Sequence, residues 1–264
     1  MPKTLDELVA AAKQIKAKKI TTYPIGLPLS ATEGASTSWY LLTKAFGGEL
    51  FDKDFKPLFV SKDSAGYKAL AFELMLLKEG LVDPASTGLK DSQINESMFA
   101  QGVTSIMISG EPGRIGQMND PKQSKVAGQV EAILVPTASG ETRSFGLPEA
   151  LAIPRVSQNK EAAIAFVKWF TSKEFQKKNA ANGALPTRTS ALSELNAAGQ
   201  LLSGDTLVAQ SKTVEPLFPQ GTPPWYPEFS SAVNTAINSA AKGQVTVDQA
   251  MQNIAEAAKQ ASAQ

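Results

Sequence analysis

The chain has no cysteine and no histidine among its 264 residues. Without cysteine there is no disulfide, no thiolate nucleophile and no sulfur-ligated metal. Without histidine the commonest general base and the commonest imidazole ligand are missing as well. A Ser-His-Asp hydrolase and a His-ligated zinc enzyme are thereby excluded. Aromatic residues are few, at 7%, and no apolar run approaches the roughly 18 residues that cross a bilayer. An excess of one charge is lacking too. The 26 basic and 25 acidic side chains leave a formal net charge of +1, so no basic field points to nucleic acid or an anionic membrane. Met1-Pro2-Lys3-Thr4 runs straight into a polar helix start, so no signal peptide is expected in this chain. The lack of cysteine suits secreted and cytosolic proteins equally and leaves the compartment open.

What is present is ordinary for a globular protein: 42% hydrophobic and 19% charged residues, in a length that suits one large domain or two modest ones. Thr4-Leu5-Asp6-Glu7 has the form of a capping box, in which Thr4 accepts the Glu7 amide and the Glu7 carboxylate returns the bond. Leu5, Leu8, Ala12 and Ile15 follow at helical spacing, which predicts a helix over 5–18. Residues 20–27 read as extended. A small polar loop over 32–38 leads into a helix opening at Trp39 and stopping at Gly47-Gly48. Turn chemistry around Asp52-Lys53-Asp54 predicts a hairpin over 49–60, and 64–78 reads as a largely buried helix. A short helix over 93–101 precedes three strand candidates, 103–108, 129–135 and 149–153. From 159 onward the pattern is helical, over 159–170, 173–181, 190–197 and 199–210. Five prolines then stiffen 216–227, before a helix near 228–241 and a terminal one through Val247, Met251 and Ile254. Strands alternating with helices to about 155, then helices alone, predict an α/β layered domain with a helical extension.

A series of stretches then carries a family likeness. Pro2 to Leu8 opens a helix, and the helix from Trp39 ends in a double glycine. Asn95 to Gly110 reads as helix, Phe99, two residues, Gly102 and a strand. Leu151-Ala152-Ile153-Pro154 is followed by Ser157 to Ala163. Gly183-Ala184-Leu185-Pro186-Thr187-Arg188 forms a turn, and Gly243 to Ala250 opens the last helix. In this order and spacing they resemble the extracytoplasmic sugar-binding proteins of ABC importers, the group that includes maltose-binding protein. The resemblance implies an α/β fold of the type II periplasmic-binding-protein kind. It implies capture of a sugar or oligosaccharide with no catalysis, cofactor or metal, and delivery to ABC permease subunits. It also implies an extracytoplasmic place for the complete protein. In the family further residues precede the Pro2 to Leu8 motif and build the first strands of lobe one. By this likeness 1–145 and 213–264 form lobe two. Residues 146–212 form the crossing strand and helical part of lobe one, most of whose sheet is missing from the chain. The family buries the stripe Ala163, Phe166, Val167 and Phe170 against that sheet. Left in water it is expected to pair with a second copy, giving a homodimer through these helices.

Sugar recognition needs flat apolar faces for a pyranose ring and planar polar groups for its hydroxyls. Trp225 and Tyr226 follow Thr222-Pro223-Pro224, where the resemblance places the stacking aromatics. Glu33 and Thr32 fall where relatives set a carboxylate or aromatic against sugar hydroxyls, although a solvated loop charge is the plainer reading. Trp39 is a further candidate, and a helix start suits core packing as well. Glu111 and Arg114 lie on a strand-to-helix turn whose amides suit polar ligand groups. Gly146 and Glu149 lie at the second crossing between lobes, where relatives often carry a glycine pair. Two alternatives stay open. A receptor for a polyol or phosphorylated sugar would draw charge from Arg114 or Arg143. A glycoside hydrolase would need two of Glu33, Glu111, Glu149 and Glu228, and no pair among them sits in a hydrolase motif.

Overall fold

The structure, a computed structural model, describes residues 1–108, 114–146, 150–180 and 184–263. Helix α1 (Leu5–Ala17) opens with the expected capping box. The Glu7 amide donates to Thr4 Oγ1 at 3.1 Å and the Thr4 amide to Glu7 Oε2 at 3.3 Å. Amide donation, first from Lys3 and then from Thr4, holds the Glu7 carboxyl below the usual range. Strand β1 (Ile25–Gly26) follows, then α2 (Glu33–Ala45) and α3 (Ala65–Lys78), which Ser64 caps through the Tyr67 amide. Between α2 and α3 the predicted hairpin closes with the Leu58 amide on the Leu50 carbonyl at 2.9 Å.

Next come a 3-10 turn (Pro84–Thr87), a wide π-type helix (Gln93–Phe99), strand β2 (Ile106–Met107) and the single turn α4 (Ile115–Met118). Strand β3 (Ser144–Gly146) leads out to α5 (Lys160–Phe170), α6 (Lys173–Ala180), α7 (Thr189–Ala197) and α8 (Gly204–Ser211). Strand β4 (Val214–Pro216) returns to α9 (Tyr226–Ala241) and α10 (Val247–Ser262).

Three expectations need correction. The polar segment 32–38 is not a loop, because α2 begins at Glu33. Its Thr32 cap makes no side-chain cap bond. Instead Asp91, far along the chain, accepts from the Gly34 amide at 2.9 Å. The strands are shorter than their apolar runs. Of 103–108 only 106–107 pair, parallel to β1 in the register Ile25↔Ile106. Segment 129–135 forms no ladder. Its Ala132 and Val135 amides donate to the side chains of Ser203 and Gln210, each at 2.9 Å. The third strand lies upstream of 149–153. It is β3, parallel to β4 in the register Ser144↔Val214, whereas Leu151 is 46% exposed.

One core joins α1, α2, α3, α9 and α10 around Leu27, Trp39, Tyr40, Phe59, Leu70 and Phe229, all fully buried. Small residues let α2 and α9 approach: Ala35, Ser36 and Ser38 are buried, and Ser36 Oγ donates to the Ser230 carbonyl at 2.9 Å. The helices between β3 and β4 belong to a different regime. Helices α5 and α6 bury no residue, and Phe166, Trp169 and Phe170 stay 50%, 54% and 37% exposed. Where the chain leaves and re-enters the core, four charges meet. Arg143 Nη2 donates to Glu215 at 2.7 Å and to Glu49 at 3.1 Å. Lys44, its side chain only 2% exposed, pairs with Glu49 and with Glu215 at 3.1 Å. Glu215 lies in β4 and Arg143 directly precedes β3, so one cluster ties both strands to the end of α2.

Candidate functional site

The proline-stiffened stretch before α9 delivers Trp225 onto the edge of an aromatic group. Its ring meets Phe55 at 5.4 Å and Phe51 at 5.6 Å, both edge-on. Such tilted arrangements place the positive ring edge on the negative face. Behind these lie Phe218, Phe229, Phe59 and Trp39. Trp225 and Tyr226 are half-buried, so the cluster shows part of its outermost members to solvent. Sequence reasoning started this helix near Glu228. The helix in fact begins at Tyr226, with Trp225 as its cap residue.

That earlier start aims Tyr226 and Ser230, four residues apart and on one helix face, at the first residue of α2. The Tyr226 hydroxyl donates to Glu33 Oε1 at 2.5 Å, and Ser230 Oγ donates to Glu33 Oε2 at 2.6 Å. Burial, then the Glu33 carboxylate, pushes the Tyr226 phenol far above its ordinary value. The Tyr40 hydroxyl is buried beside Tyr226 and Ser230 without a hydrogen bond of good geometry. Burial raises its pKa well above that of a free phenol. The start of α2, which carries Glu33, is fixed by Asp91 and Ser30. Asp91 accepts from Thr32 Oγ1 at 2.8 Å as well as from the Gly34 amide, and Ser30 Oγ donates to Thr32 Oγ1 at 3.0 Å. A Cβ on Gly34 would fall 2.2 Å from the Asp91 carboxyl carbon, so a larger residue there would push the carboxylate off its partners.

The structure thus joins Glu33 to Tyr226 and Ser230, and Thr32 to Asp91, by hydrogen bonds, and sets Trp225 on the neighbouring aromatic group; Ser230 and Asp91 are the two that sequence reasoning missed. The i, i+4 spacing from Tyr226 was a signal for Ser230. Asp91, 59 residues from Thr32, offered none. Trp39 is a correction: it has no exposure, and its indole Nε1 donates to the Gly66 carbonyl at 2.8 Å, which makes it a core residue. Gly146 closes β3, where a Cβ would lie 2.8 Å from Val214 Cγ1. Its smallness therefore serves strand pairing. Arg143 is engaged by Glu49 and Glu215 and offers no open charge to a ligand. Arg114 directly precedes α4 and is half-buried. Glu111 and Glu149 lie outside the described residues.

A groove lies elsewhere among the described residues. About 670 Å³ in volume, it runs along the exposed side of α9 toward α10, past Glu228, Ser231, Thr235, Ser239 and Asn253. It offers small polar side chains and no aromatic platform. Among the described residues no three acidic groups stand together as a metal site, and no helix is long and apolar enough to cross a membrane.

Known proteins match this architecture along most of the chain. A probable amino-acid ABC transporter periplasmic-binding protein of Sinorhizobium fredii is 31% identical over 73% of the chain and 42% of its own length. The mannitol-binding protein of Pseudomonas aeruginosa is 31% identical over 80% of the chain and 51% of its own length. The solved solute-binding protein of Thermotoga lettingae, bound with α-D-tagatose, superimposes with a TM-score of 0.83 at 26% identity. It covers 98% of this chain and 64% of its own. The fold is therefore that of the type II periplasmic-binding proteins, and the chain spans about half the length of the curated relatives and under two-thirds of the solved one. The profile of the bacterial extracellular solute-binding proteins matches residues 2–177, and the chain belongs to that family.

Proposed function

We propose that the edge formed by Glu33, Trp225 and Tyr226 binds a sugar or polyol, and that the chain is part of a receptor that passes this solute to an ABC permease without catalysis. What supports this reading is a carboxylate oriented by Tyr226 and Ser230 at the start of α2, together with a half-exposed indole on the residue before Tyr226. The first accepts ligand hydroxyls, and the second offers a flat face to ligand C–H groups. The names of the mannitol-binding relative and the tagatose-bound neighbour support this solute class. The same family points to an extracytoplasmic place for the complete protein. Residues 1–145 and 213–264 then constitute lobe two, and 146–212 the crossing strand and helical part of lobe one. The division of the core at β3 and β4 supports that partition.

A titration of D-mannitol, D-tagatose and maltose into the chain tests the reading, followed by calorimetry and by the NMR signal of the Trp225 indole. One or more should bind in the millimolar range. Trp225→Ala should weaken that binding about two- to tenfold, the loss of roughly 0.5–1.5 kcal/mol expected when an aromatic contact is removed. Unchanged affinity in Trp225→Ala would return Trp225 to a purely structural role.

A further inference from the structure

Resting on that reading, we propose that Phe55 is a positioning residue: its ring holds the Trp225 indole in the orientation that meets the ligand. The first observation concerns the backbone. Phe55 has φ +57°, in the left-handed region where a side chain crowds the following carbonyl and where a bulky residue is rare. The turn of the 49–60 hairpin does not need an aromatic there. The Phe55 amide donates to the Asp52 carbonyl at 3.1 Å, and Asp52 Oδ1 accepts from the amides of Asp54 and Lys56, each at 2.9 Å. The side chain at position 55 takes no part in these bonds, so glycine would complete the same turn without crowding. A backbone held in a sparsely populated region persists where its surroundings over-determine it.

Those surroundings are rings. Phe55 meets Trp225 edge-on at 5.4 Å, closer than any other ring to that indole among the described residues, and meets Phe218 at 6.3 Å and Phe51 at 6.4 Å. The other rings around Trp225, those of Phe51, Phe218 and Phe229, are buried. Phe55 is half-buried like Trp225 itself, so this contact lies where the aromatic group meets solvent. Gln220 Nε2 donates to the Asp52 carbonyl at 3.1 Å, which ties the hairpin to the proline-stiffened stretch that delivers Trp225. Without the Phe55 ring the indole gains rotamer freedom that binding must remove, and affinity falls although no ligand contact is lost.

The test is Phe55→Gly in the 264-residue chain, read by urea unfolding, by the Trp225 indole NMR signal without ligand, and by D-mannitol titration. Stability should change little, because relief of the crowded backbone offsets the lost ring packing. The unliganded indole signal should shift and broaden. D-mannitol should bind about two- to tenfold more weakly, the range expected for ordering one side chain. Phe55→Tyr restores the ring and should restore both signal and affinity. An indole signal unchanged in Phe55→Gly, with stability lost, would overturn the proposal and leave Phe55 a packing residue. Weaker binding with that signal unchanged would overturn it too, by placing Phe55 directly on the ligand. A shifted indole in a chain that responds to none of D-mannitol, D-tagatose and maltose would instead remove the ligand face while keeping the contact between Phe55 and Trp225.

Discussion

Both carboxylate oxygens of Glu73, on α3, are buried without a hydrogen-bond partner. Burial pushes this carboxyl well above its ordinary value, because the charged form loses its water and gains nothing in return. The sign of the consequence is fixed by that direction. A carboxyl whose folded pKa is raised costs nothing while it is neutral in both states. Stability is then lost as pH rises from the unfolded value, about 4.3, toward the raised folded one. Glu73→Met fills a similar volume and removes the group. It should stabilise the chain by about 1–3 kcal/mol at pH 8, and by less at pH 4, in urea unfolding. Equal or lower stability at pH 8 would show that Glu73 has a partner in solution. At this scale the partial exposure of Trp225 and Tyr226 was legible in the sequence, since the prolines before them mark a stretch that runs over the surface. Trp39 was not, because exposure and burial at a helix start depend on Gly66 and Phe59, which fold back over it from the next segments.

Elements defined by local chemistry were readable, and those defined by distant partners were not. The capping boxes at Thr4 and Thr246 need only a residue three positions on, so both helix starts show in the sequence. The start of α2 depends on Asp91, and the two-residue ladder of β1 with β2 joins segments about eighty positions apart. No local pattern encodes either. The same holds for the charge cluster at β3 and β4. Donation from Arg143, with help from Lys44, holds the Glu215 carboxyl below its usual value. A depressed carboxyl contributes stability above its unfolded titration near about pH 4.3, and that stability is lost as pH falls through the lowered folded value. Glu215 is itself 39% exposed, which screens the interaction. Glu215→Gln should therefore cost about 1–2 kcal/mol at pH 7, and the difference from the unaltered chain should shrink at pH 3. A variant as stable as the parent at pH 7 would show that the cluster does not hold the two strands.

On the scale of the molecule, a dense core stands beside a helical segment with little of its own. Phe166, Trp169 and Phe170 present one apolar face from α5. Covering each large side chain is worth roughly 1.5–3 kcal/mol, so the free chain should self-associate through this face. Light scattering across a dilution series should show a dimer that dissociates, and Phe166→Glu with Phe170→Glu should leave a monomer at every concentration. A parent chain monomeric throughout would rule out this pairing. Family and fold class were legible from motif order alone, whereas the proposed ligand face needed α2 and α9 brought together in space. That face is the central claim, and a crystal structure of the chain grown with D-mannitol in molar excess tests it most directly. The account predicts ligand hydroxyls within hydrogen-bond distance of the Glu33 carboxylate and ligand carbons against the Trp225 ring. Ligand seated instead in the α9 groove beside Ser231 and Thr235, with Glu33 untouched, would contradict it.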